Sequence, residues 1–63
     1  MLLTELKNTI QELKEKRQRI RASINDESYS EDLRNVFKGQ SIELLNQIQY
    51  LQKLVTKIEE FLK

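Results

Sequence analysis

The sequence predicts an all-α protein: an antiparallel, coiled-coil-like two-helix hairpin that dimerises into a four-helix bundle. Three observations lead there. Apolar residues recur at alternate steps of three and four along almost the whole chain. That rhythm breaks once, at a cluster of turn formers near the middle. The chain also has no proline and a single glycine, Gly39. A repeat averaging about 3.5 residues keeps one seam of a helix turned towards a neighbouring helix. Proline and glycine are the residues that most disfavour a helix interior.

Helix 1 is expected over about residues 2–25, with the seam Leu3, Leu6, Ile10, Leu13, Arg17, Ile20 and Ile24. Glu12 with Lys16 and Glu15 with Arg19 stand four apart in the favourable order, each pair worth about 0.2–0.5 kcal/mol. Arg19 and Arg21 suit the negative end of the helix dipole. The run Asn25-Asp26-Glu27-Ser28-Tyr29-Ser30 is the one concentration of turn residues, so the reversal is expected at about 26–30.

Helix 2 is expected over about 31–62. Its start has two readings: Ser28 with Glu31 as a capping box, or Ser30 as the cap with Glu31 and Asp32 in the first turn. Its seam reads Phe37, Ser41, Leu44, Ile48, Leu51, Val55, Ile58 and Leu62, and Glu59 with Lys63 would close the last turn. Gly39 admits an alternative, a three-helix arrangement with a break there and a new cap at Ser41. One glycine costs only about 0.5–1 kcal/mol relative to alanine, and the stripe keeps its phase across it. A continuous helix 2 is therefore the expectation.

Folding the chain back at residue 28 sets Ile24 opposite Leu33, Ile20 opposite Phe37, Leu13 opposite Leu44, Ile10 opposite Ile48, Leu6 opposite Leu51, and Leu3 opposite Leu54 or Val55. The same fold-back brings Arg17 to Gln40 and Ser41, beside Gly39. A long cation thus faces small or polar residues, and Arg17 with Ser41 is expected to form a polar layer in the seam. A polar seam residue can fix register and oligomeric state at a cost in stability. Its stem can equally pack while the guanidinium reaches water.

A 63-residue chain makes one domain, and below about 70–80 residues a lone core rarely supplies more than about 3–5 kcal/mol. The chain has neither cysteine nor histidine, so disulfides and Cys/His metal sites are excluded, and association is the staple left open. The expected length of helix 2, about 48 Å against about 36 Å for helix 1, leaves about two turns overhanging Met1. Ile58, Phe61 and Leu62 lie on that tip, and Leu2, Ile42, Leu45, Tyr50 and Leu54 lie off the facing seams. Leu45, Tyr50, Leu54, Ile58, Phe61 and Leu62 are the expected protein interface, used by a second copy or by a helix of another protein.

No nucleophile–base pair and no phosphate-cradling glycine loop is present. Asp26, Glu27, Glu31 and Asp32 lack calcium-loop spacing. The expectation is a non-enzymatic, cytoplasmic, regulatory or adaptor protein without a cofactor; the start Met-Leu-Leu-Thr-Glu-Leu-Lys is no secretory signal, and no membrane partner is expected. Nucleic acid is the second partner class considered. Residues 1–25 hold six cations against three carboxylates, and Lys14, Lys16, Arg17, Arg19 and Arg21 crowd into eight positions. The phosphate contacts would fall to Lys14, Lys16, Arg19 and Arg21. Helical spacing, however, spreads the run: Lys14 and Arg21 on one flank, Lys16 on the other, Arg19 outward. No aromatic is interleaved to stack on bases.

Overall fold

The computed structural model describes residues 1–62. Two helices and no strand make up these residues: α1, Leu2–Ile24, and α2, Glu31–Leu62. They lie lengthwise against one another in a body 49 × 15 × 12 Å. The long dimension is that of α2 alone, whose 32 residues span about 48 Å at the α-helical rise.

α2 therefore runs unbroken through Gly39, and the three-helix alternative fails. The glycine sits on an exposed part of the helix surface, and a Cβ built there meets nothing within 4 Å. Continuity wins because the seam on both sides of the glycine packs in phase, which outweighs a cost of about 0.5–1 kcal/mol. Gly39→Ala is accordingly expected to stabilise the chain by about 0.5–1 kcal/mol. Thermal unfolding followed by circular dichroism checks this, and a lower midpoint would mean that something covers Gly39 in solution.

The connector reverses the chain without a left-handed residue: no described residue has positive φ. Asn25 ends α1 at φ −91° and ψ 1°, in the bridge region. The amides of Asn25 and Asp26 donate to the carbonyls of Ala22 and Ser23 at 3.3 and 3.2 Å, tightening the last turn. Asp26 Oδ1 accepts the Ser28 amide at 2.9 Å, an Asx turn. The Ser28 hydroxyl and amide together hold the Asp26 carboxyl below its ordinary range.

With Ser28 so engaged, Ser30 caps α2: its Oγ accepts the Leu33 amide at 3.2 Å, the N-cap to N3 bond. Of the two starts the sequence allowed, the second forms. Glu31 and Asp32 occupy the first turn, where carboxylates suit the dipole. Tyr29 then stands edge-on to Phe37, ring centroids 5.3 Å apart at 82°, an arrangement worth about 0.5–1.5 kcal/mol beyond area. It ties the connector down onto α2.

The core is thin. Ile10, Leu44, Ile48 and Val55 are the buried apolar residues, and Ile48, at 4% exposure, is the most covered of them. Ile10, Ile48 and Val55 form one cluster, with Leu3, Leu6, Leu13 and Leu51 packed around it. The fold-back pairing holds from Leu3 and Leu6, packed with Leu51 and Val55, to the level of Arg17 and Ser41, and gives way beside the connector. Leu33, expected against Ile24, is exposed, and so is Val36. At the far end Lys7 bridges Glu59 at 3.8 Å.

Candidate functional site

Two helices side by side leave two grooves, one on each flank, and the side chains lining them differ in kind. One flank carries a row on α2 at steps of three and four: Gln40, Glu43 and Gln47, continued by Tyr50, Leu54, Ile58 and Phe61. Its polar half lines a shallow groove with Leu13, Lys16 and Ile20 of α1. Its C-terminal half is apolar. Tyr50 and Phe61 are 64% and 89% exposed, whereas Leu54 and Ile58 are half-buried. Leu2 and Leu62 are exposed at the same end of the hairpin.

Five of the six residues expected to form a protein interface therefore gather at one end: Tyr50, Leu54, Ile58, Phe61 and Leu62. Leu45 does not join them. It is half-buried and lines the groove on the opposite flank. The overhanging tip is also shorter than expected. Ile58 is partly covered and Glu59 reaches Lys7, so Phe61 and Leu62 are what stays bare.

The opposite flank is cationic. Lys14, Arg17 and Arg21 of α1, with Gln18, and Leu45, Gln49 and Gln52 of α2, line an open groove of about 590 Å³. No carboxylate lines it. Lys16 lies on the other flank, and Arg19 lines neither groove. The basic run of the sequence is thus divided, with Lys14, Arg17 and Arg21 the three cations that the hairpin brings together.

Arg17 joins the two surfaces. It is half-buried in the seam, and its Nε–H donates to the Ser41 carbonyl at 3.1 Å across the helix pair. Ser41 is 5% exposed. The small hydroxymethyl side chain of Ser41 leaves room for the guanidinium at this level. The polar pair arises because a long side chain needs a small neighbour, and the chain provides one where α2 crosses Arg17.

Two local ion pairs expected on α1 do not form: among the described residues the bridge present is Lys7–Glu59. Glu15 instead accepts from the Gln11 amide at 3.4 Å. Exposed pairs of this type gain little against side-chain entropy and screening, about 0–1 kcal/mol, so their absence costs the helix little. The expected Glu59–Lys63 pair lies outside the described residues. No helix among those residues is long and apolar enough to cross a membrane. No protein family, curated protein or solved structure matches the chain.

Proposed function

We propose that this protein acts by association rather than by chemistry, and that the occupant of its apolar flank is a second copy of the chain, giving a symmetric four-helix bundle. One observation carries the reading. Four apolar residues reach burial and none of them completely, while nine large apolar or aromatic side chains, Phe61 and Tyr50 among them, stay exposed. Full burial of such a side chain is worth about 1.5–3 kcal/mol before entropic costs. The intrachain seam therefore leaves much of the apolar surface uncovered or half-covered.

A hairpin of this size gains the most from a partner that presents the same stripe at the same pitch, and a copy related by a two-fold axis does so by construction. A second copy also brings two helices to that face where a foreign helix brings one. With neither cysteine nor histidine a thiol nucleophile and an imidazole base are missing. A regulatory or adaptor role, exerted through the assembled bundle, follows from that combination.

The test is solution mass by light scattering. The wild-type chain is expected at twice its 7.6 kDa. Tyr50→Asp with Phe61→Asp, both at exposed positions and so harmless to the intrachain core, is expected to return it to the monomer or to unfold it. A wild-type chain that stays monomeric at high concentration, fully helical and cooperative in melting, would sink the self-association reading.

A further inference from the structure

We infer that the cationic flank is a second, independent binding site, and that its ligand is the phosphate backbone of a nucleic-acid duplex, held without regard to sequence. The geometry of the cations argues for an extended polyanion over a small phosphate compound. Lys14, Arg17 and Arg21 stand at steps of three and four along α1, a row parallel to the helix axis and about 10 Å long. Small anions are held by donors that converge on one point. A row spaces its charges along a line instead.

A duplex strand carries one negative charge per about 3.4 Å of axis and winds obliquely to it, so about two to three phosphates fall within reach of this row and its long side chains. Gln18, Gln49 and Gln52 stand beside the cations in the same groove, and their amides donate to phosphate and sugar oxygens as readily as to one another. The lining has no carboxylate to repel the strand and no aromatic to stack on a base. Affinity would therefore come from charge and be blind to sequence. Arg17 is held by Ser41 through Nε, which leaves its terminal amino groups for a ligand while fixing where they stand.

The groove lies on the flank away from Tyr50, Leu54 and Phe61, so a dimer built on the apolar side keeps both copies of the cationic side facing outward. The site does not depend on the dimer, and its test reads a different signal. A short fluorescent DNA duplex of mixed sequence is titrated with the full chain across a salt series, followed by anisotropy. Binding at low salt is expected, with log K falling against log salt at a slope of about −3 per groove engaged.

Lys14→Ala with Arg21→Ala, both exposed, is expected to reduce that slope by about two thirds per groove, helicity unchanged, each lost contact removing about one unit. Lys16→Ala with Arg19→Ala removes the same charge from outside the groove and is expected to leave the slope nearly intact. Absence of binding at low salt overturns the inference. So does an equal loss from the two double variants, or displacement of the duplex by inorganic phosphate at matched ionic strength.

Discussion

Ile48→Ala is expected to abolish cooperative folding at room temperature. Ile48 is the most covered of the described residues and joins Ile10 to Val55, with Leu3, Leu6, Leu13 and Leu51 around the cluster. Truncating a buried isoleucine to alanine removes about 2–5 kcal/mol, part lost transfer and part residual cavity. A lone core in a chain this short supplies about 3–5 kcal/mol, so the loss approaches the whole. The effect should be read as a collapse of helical ellipticity, with partial recovery as concentration rises if dimerisation supplies the remainder. Ile42→Ala is the control. Ile42 is 61% exposed, and alanine has the better helix propensity, so a change within about 0.5 kcal/mol is expected. Equal effects at the two isoleucines would mean that the cluster around Ile48 does not hold the hairpin together.

The seam of the hairpin was legible in the sequence and the stretch beside the connector was not, for a physical reason. Around Ile10, Ile48 and Val55 the seam residues are large, apolar and in strict rhythm on both helices, so one pairing buries them and a slipped one does not. Near the connector that rhythm competes with turn chemistry. Ser28 and Ser30 were equally good caps on paper, and the choice fell to Ser30 once Asp26 had engaged the Ser28 amide. That choice, with Tyr29 packed on Phe37, fixes how the chain enters α2, where Leu33 is left exposed.

Leu45 was placeable from spacing: nine residues before Leu54, it stands on the opposite side of α2 from it. The split of the basic run likewise follows from helical spacing alone. Lys14 and Arg21 are two turns apart and must share a flank, while Lys16 and Arg19 cannot join them. Ion pairs were the least legible feature, since Glu12–Lys16 and Glu15–Arg19 have favourable spacing and too little energy to fix two long side chains.

Arg17→Leu is expected to raise the melting temperature and to loosen the choice of oligomer. Every other seam position of α1 from Leu3 to Ile24 is apolar. Arg17 places a guanidinium among them, half-buried, with one hydrogen bond to the Ser41 carbonyl at 3.1 Å. That carbonyl lies within α2 and keeps its place in the helix's own ladder, so removing the arginine strands no buried acceptor, which is the case where loss of a hydrogen bond is least costly. Leucine adds apolar burial and removes the desolvation of a charge, a replacement that is often neutral to stabilising by about 1–4 kcal/mol. Even about 1 kcal/mol moves the midpoint by about 4–8 °C in a domain of this size. The gain comes with a loss of definition. A polar residue at one seam level penalises registers and assemblies that bury it against leucines, and an all-apolar seam no longer does. Calorimetry on both forms should therefore show a higher midpoint for the leucine variant, and light scattering a shifted or mixed mass. Equal midpoints with identical mass would strip Arg17 of any role in specifying the assembly, and a lower midpoint would show that its bond to Ser41 outweighs the burial that leucine offers.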